Sequence, residues 1–197
     1  VGGDFAPSEI LDGVALALRE SAHVRICLVG PEDVVDTFAP SHDRVDPVHA
    51  TEVIGMDEHP ATAVRSKKDS SIVVGARLVR DKAADGFFSA GSTGAMMAAC
   101  TLVVGRIPGV ARPAIATVLP TAGRPAVLLD VGANADCKPE YLVQFARMGA
   151  AYASTVLDVE HPRIALLNIG EEPQKGSVLA QEAHALMAGS VPGFVGN

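Results

Sequence analysis

Tryptophan is absent, and aromatic residues make up only 4% of the 197-residue chain. With so few rings, the core must be built from Val, Ala, Leu and Ile. Cysteine is also scarce: Cys27, Cys100 and Cys137 are far apart, odd in number and never arranged as CxxC. That excludes a disulfide framework and a cysteine zinc site, and it fits a reducing, cytoplasmic setting. Basic charge is short, with 16 Lys and Arg against 23 Asp and Glu and a net charge of −7. A general nucleic-acid binder needs an extended basic surface, so nucleic acid is excluded as a partner. No apolar run approaches the roughly 20 residues of a membrane span, and no signal-peptide pattern is visible. The six histidines show no ligand spacing, so no metal is expected. There is no G-x-S-x-G elbow, P-loop or G-x-G-x-x-G fingerprint.

What is present is an alternation of apolar strands and amphipathic helices. Helices are expected from Pro7-Ser8, around Asp33 to Phe38, and from Ala61 onward in two pieces broken near Asp69-Ser70. Further helices are expected through Gly94 to about Val104, from Pro139 to about Val156, and over Ser177 to Ala188. Strands are expected at Val24–Val29, Val45–Ala50, Phe87-Phe88, Ala114–Leu119, Ala126–Asp130, Arg163–Asn168 and Gly193–Val195. Most are continuous apolar runs, the mark of a mainly parallel sheet covered on both faces. Only a short turn separates Ala114–Leu119 from Ala126–Asp130, which predicts an antiparallel hairpin. The fold class is therefore α/β, a three-layer α/β/α arrangement in one domain over residues 1–197.

The chain is organised around Asp85 to Met97, where a short apolar stretch enters small and hydroxylated residues that open a helix. The first turn of a helix has unpaired N–H groups and the positive end of the dipole, and glycine lets a ligand reach the backbone. Ser89, Gly91, Ser92, Thr93 and Gly94 are thus candidates to hold an oxyanion, phosphate above all. Other strands end alike, in Asp130-Val131-Gly132-Ala133-Asn134, Asn168-Ile169-Gly170 and Gly196-Asn197. In an open parallel sheet ligands bind beyond the carboxyl ends of the strands, so these ends point to one polar crevice. The turn at Val1-Gly2-Gly3-Asp4 adds Gly3 and Asp4. Arg106, Arg112, Lys138 and Lys175 lie beside these ends as cations for an anionic substrate. Arg65, Lys67 and Lys68 form the one local basic cluster, suited to an acidic partner or to a solvated helix face. Cys137 lacks an assigned base, which argues against a covalent thiol mechanism.

Taken in order, Gly2-Gly3-Asp4-Phe5-Ala6-Pro7, Ser89 to Ala95, Gly105-Arg106-Ile107, Arg112-Pro113-Ala114, Leu129 to Asn134, Lys138-Pro139-Glu140 and Leu167 to Gly170 resemble the bacterial phosphate acyltransferases of phospholipid synthesis. The Ser89 and Arg112-Pro113-Ala114 parts are also similar to phosphate acetyl- and butyryltransferases. The resemblance covers essentially the whole chain. Two departures stand out: the family's first strand is missing before Gly2, and its C-terminal third is missing after Asn197. Val1 in place of Met also suggests part of a longer protein.

The resemblance implies a fold like the isocitrate and isopropylmalate dehydrogenases, a homodimer and no cofactor. It implies a cytoplasmic enzyme with peripheral membrane association. The reaction it implies is attack of inorganic phosphate on a fatty acyl thioester of acyl carrier protein. Phosphate is itself the nucleophile, so the site needs positioning and oxyanion stabilisation only. Phosphate falls to the Gly91–Gly94 backbone, Ser92 and Thr93, with Arg106 or Arg112. Asn134 and Lys138 are candidates for the oxyanion or the departing thiolate, and Asp4 and Asp130 for orienting cations. Two rivals stay open: a short-chain phosphate acyltransferase acting on acyl-CoA, and a non-catalytic anion-binding domain.

Overall fold

The structure is a computed structural model and describes residues 2–197; Val1, the first residue of the expected glycine turn, lies outside the described residues. The chain divides into two compact units, the first reaching to Arg106 and the second covering Ile107–Asn197.

The first unit opens with helix α1 (Ser8–Glu20), strand β1 (Ile26–Gly30) and helix α2 (Glu32–Phe38), then a 3-10 turn (Ala39–Ser41) and strand β2 (Val45–His49). β1 and β2 are parallel, in register from Ile26 opposite Val45 to Gly30 opposite His49. The helix between them makes this a β-α-β unit, the local solution to joining parallel strands. Leu18, Leu28, Val35, Ala39 and Val45 form its core. The Arg44 guanidinium donates to the carbonyls of Leu18 and Ser21, which the C-terminus of α1 leaves unpaired, and to that of Val24 beyond it.

A second core in the same unit packs α3 (Pro60–Ser66), α4 (Ser71–Arg80) and α5 (Thr93–Ala99). It holds Ile54, Ala63, Val64, Ile72, Val73, Ala76, Ala95 and Ala99, with Met96 and Phe87 against it. The break expected near Asp69-Ser70 is there. Ser70 is fully buried, and its hydroxyl donates to the Lys67 carbonyl at 2.8 Å. After Ala99 the helix continues as a π-helical segment, Cys100–Val104.

In the second unit, β3 (Ala116–Leu119) and β4 (Ala126–Leu129) form the expected antiparallel hairpin, with Ala116 opposite Leu129. Helix α6 (Pro139–Val156) packs on β4 and on α7 (Val178–Ser190). Gly149 allows the approach to β4: a Cβ there would stand 2.9 Å from Leu129 Cδ1. β5 (Ile164–Ala165) and β6 (Phe194–Gly196) are parallel. Val143, Met187 and Val191 are the core, with Ile164, Leu166 and Phe194 packed on them.

Three expectations are corrected. Among the described residues the strands form three two-stranded sheets, not one sheet. Phe87-Phe88 joins no ladder; the Phe87 ring instead lies over Gly75 of α4, while Phe88 is 84% exposed. The strand expected over Arg163–Asn168 is reduced to Ile164–Ala165, and Leu167 and Ile169 point outward. Both failed runs are apolar stretches running into Gly-containing turns, and an apolar run forms a strand only where a neighbouring edge pairs it.

Candidate functional site

Ser92 caps α5. Its hydroxyl accepts from the Ala95 N–H at 3.3 Å, and the residue is buried beside Ala95. Serine is a favoured N-cap, and here it leaves other first-turn N–H groups without a partner in the helix. Ser89 turns its hydroxyl back to accept from the Gly91 N–H at 3.1 Å. Thr93 is exposed in the first turn. Gly94 sits so close to Pro60 that a Cβ would meet Pro60 Cγ at 2.7 Å.

The Gly2-Gly3 turn comes to the same place. A Cβ on Gly2 would lie 2.8 Å from the Gly91 backbone nitrogen, and one on Gly3 would lie 3.4 Å from Ala90 Cβ. Gly3 has φ +87°, a left-handed value that glycine adopts at least cost. Two glycine motifs nearly ninety residues apart in sequence thus pack backbone against backbone. Exposed Asp4 follows directly.

In the second unit the hairpin's exit forms a denser cluster. Asp130 stands just after β4 in a left-handed conformation, φ +50°. Its Oδ1 accepts from the Ala133 N–H and from Asn134 Nδ2, both at 3.2 Å, and its Oδ2 accepts from the Cys137 thiol at 3.8 Å. Asn134 Nδ2 also donates to the Pro113 carbonyl at 3.0 Å. The expected strand-end motif is therefore real, held together by Asp130. Burial pushes the Cys137 thiol up, as does the Asp130 carboxylate, while the nearby Arg112 charge opposes them. Both upward causes favour the neutral thiol, which donates to the Asp130 carboxylate.

Arg112 is exposed, with its guanidinium 5.9 Å from the centre of the Tyr141 ring in the first turn of α6. That face contact orients the cation without neutralising it. Gln144, one turn on, receives the Ala111 N–H at 2.9 Å and donates to the Gly109 carbonyl at 3.2 Å, pinning the backbone that leads into Arg112. Lys138 is the exposed residue just before α6. Sequence reasoning missed Tyr141 and Gln144. Their one signal is a spacing of three on a helix starting at Pro139, which places both on one face.

A third group braces the loop after β5. Asn168 Nδ2 donates to the Lys175 carbonyl at 3.0 Å, and Asn197 Nδ2 to the Glu172 carbonyl at 2.8 Å. Asn168, Lys175 and Asn197 lie on or against this loop, and both carboxamide nitrogens serve the loop itself. Arg106 is exposed at the end of the first unit. Among the described residues no group of His, Cys, Asp and Glu could hold a metal ion, and no helix is long and apolar enough to cross a membrane.

A family model described as "Fatty acid synthesis protein" matches residues 1–197. A phosphate acyltransferase of Desulfitobacterium hafniense (strain Y51) is 52% identical over the full chain, of which this chain covers 59%. One from Heliobacterium modesticaldum is 50% identical, with 60% covered. The chain thus spans about three fifths of the length of the curated relatives it matches. Among solved structures, a phosphotransacetylase from Streptococcus pyogenes superposes with a TM-score of 0.57 at 16% identity, covering 96% of this chain and 72% of that one. The EutD phosphotransacetylase from Staphylococcus aureus gives 0.53 at 18% identity, with the same shares covered.

Proposed function

This chain belongs to the fatty acid synthesis protein family, and from that premise we propose that the protein is an enzyme that makes acyl phosphate from inorganic phosphate and a fatty acyl thioester. One oxygen of hydrogen phosphate attacks the thioester carbonyl carbon and a C–O bond forms. The C–S bond breaks, and the thiolate leaves and takes up the proton that phosphate brought. The carrier is acyl carrier protein and the product serves phospholipid synthesis. The enzyme works as a homodimer in the cytoplasm with peripheral membrane association.

The observation that carries this reading is the packing of Gly2-Gly3 on Ala90-Gly91 beside the Ser92-capped turn. The Gly91 N–H is taken by Ser89 and the Ala95 N–H by Ser92, so the first-turn N–H groups between them are the ones assigned to an oxyanion. Phosphate is assigned to the Gly91–Gly94 backbone with Ser89, Ser92, Thr93 and Arg106 in the first unit. Arg112 is assigned to negative charge, Lys138 to the oxyanion or the leaving thiolate, and Asp130 with Asn134 to ordering. Gly3, Asp4, Asn168, Lys175 and Asn197 support the loops around these groups.

The test is to mix full-length protein with palmitoyl acyl carrier protein and phosphate and to trap acyl phosphate with hydroxylamine. Hydroxamate that depends on phosphate is the expected result, and Arg112→Ala should raise the phosphate KM at least tenfold, since a charge-assisted contact contributes about 1.5–3 kcal/mol. Product from acetyl-CoA but not from the carrier protein would move the assignment to a short-chain enzyme. Phosphate binding without product from any thioester would reduce it to an anion-binding protein.

A further inference from the structure

Helix α1 and the stretch from α2 to the start of β2 leave a groove between them. Toward the start of α1 it is a cavity of about 320 Å³ against Pro7, Leu11, Val34 and Phe38. Toward the end of α1 it is a second cavity of about 320 Å³ against Ala15, Leu18, Arg19 and Arg44. Both volumes fall in the range of small-molecule sites. His42 lines both cavities and joins them. Its ring stacks on Phe38 with centroids 4.2 Å apart, and its Nδ1–H donates to the Phe38 carbonyl at 3.1 Å, which fixes the residue at the join. Leu11, Ala15 and Leu18 follow one another at helical spacing, so one face of α1 forms a continuous wall. That wall runs nearly the whole helix, roughly 20 Å at 1.5 Å per residue.

The two ends differ in charge. Neither Arg19 nor Arg44 forms an ion pair with a carboxylate among the described residues. Arg44 gives its two terminal nitrogens to backbone carbonyls, which holds the guanidinium in place and leaves its charge uncancelled. The carboxylate lining that end is the exposed Asp43, so two cations stand against one anion there. The other end has no cation in its lining, and its carboxylate, the exposed Asp33, repels a negative group. A cationic end joined to an apolar end complements an anionic amphiphile in one direction only. We propose that the groove binds a long-chain fatty acid anion, its carboxylate at Arg19 and Arg44 and its chain running past Ala15 and Leu11 toward Pro7. The single excess positive charge matches a carboxylate better than a phosphate dianion, and the guanidinium fork fits a carboxylate in shape. The groove lies wholly in the first unit and uses no residue assigned to the reaction, so the inference does not rest on that reading.

The experiment titrates full-length protein by calorimetry with octanoate, decanoate and dodecanoate, each below its critical micelle concentration. Dodecanoate should bind most tightly, with affinity rising about two- to fourfold for each methylene added. Dodecyltrimethylammonium has the same chain with a cationic head and should bind roughly tenfold more weakly. Arg19→Glu, at an exposed position, replaces an attractive charge with a repulsive one and should weaken dodecanoate roughly tenfold or more, with acyl phosphate formation unchanged. In wild-type NMR spectra dodecanoate should shift the methyl signals of Leu11, Leu18 and Val34, a readout that needs no variant. Absence of dodecanoate binding overturns the proposal. So does equal binding of the cationic amphiphile, affinity independent of chain length, wild-type affinity in Arg19→Glu, or shifts that spare those methyls. Binding to vesicles of anionic phospholipid without binding of free dodecanoate overturns it as well, since the occupant would then be a membrane surface. Dodecanoate binding by a protein that makes no acyl phosphate would count against the proposed reaction alone, and acyl phosphate formation without dodecanoate binding against this inference alone.

Discussion

At the residue scale, Asp130 shows how one side chain can be worth more to a site than its own charge. A non-glycine residue at φ +50° carries a conformational cost, and Asp is among the few types that tolerate it. In return its carboxylate receives three donors and fixes Asn134 and Cys137. Cys137 gives the measurable consequence. Burial and the neighbouring carboxylate favour the neutral thiol, so the thiolate forms only above the usual cysteine range of about 8.5. In a background where Cys27 and Cys100 are Ser, iodoacetamide should label Cys137 more slowly than a free peptide thiol at neutral pH. Its rate should reach half-maximum at a higher pH than the peptide's. A midpoint at or below the peptide's would show that the carboxylate does not face the sulfur.

At the scale of elements, helix α4 depends on a glycine. Alanine favours a helix interior over glycine by about 1 kcal/mol, so Gly75→Ala should help on propensity alone. A Cβ there, however, would stand 2.3 Å from Phe87 Cε2 and under 3 Å from two more ring atoms. The ring would have to leave the core formed by Ile72, Val73 and Ala76. Overpacking of this kind typically costs about 1–3 kcal/mol, so the clash wins. Gly75→Ala should lower the thermal midpoint, and Phe87→Leu should restore part of the loss; a more stable Gly75→Ala protein would rule this packing out. The same contact explains an error of reading. Phe87-Phe88 looks like a strand because apolar pairs before a Gly-rich turn usually are, yet Phe87 serves as a lid on a helix. Helices were legible almost to the residue where a cap or proline marks them, as at Pro139 and Ser177. The hairpin was legible from its short turn. Strand pairing was not, because pairing depends on a neighbour that local sequence does not name. In the candidate site, Ser92 and the Asp130–Asn134 motif could be read from their residue types. The bracing by Tyr141 and Gln144 could not, because a ring and a carboxamide on a helix look like any solvated face until the chain they hold is in place.

At the scale of the whole molecule, two consequences of charge pull in opposite directions. The resolved carboxylate shifts run downward. Glu58 is lowered by the Lys67 ammonium and the Gly55 N–H, Asp69 by the Thr51 hydroxyl and N–H, and Asp81 by Arg80. A depressed folded-state pKa contributes stability that is present above the unfolded value, about 4, and is lost as pH falls through the folded value. His49 is raised, chiefly by its hydrogen bond to Asp36. Its contribution is complete below the unfolded value of about 6.5 and is lost as pH rises through the folded one. The thermal midpoint should therefore peak at about pH 5–6.5, fall steeply toward pH 3 and decline slightly toward pH 8. All these groups face solvent, so the curve should flatten in about 1 M salt, where the Debye length is about 3 Å. The pI is near 5.3, inside the same window. There the net charge of −7 that keeps chains apart at neutral pH vanishes, while Phe88, Leu167 and Ile169 remain more than four-fifths exposed. Light scattering during the melts should thus show the greatest association at the pH of greatest thermal stability. If the midpoint rises steadily to pH 8, the His49–Asp36 pair contributes nothing. If it stays level down to pH 3, the Glu58 and Asp69 contacts contribute nothing either.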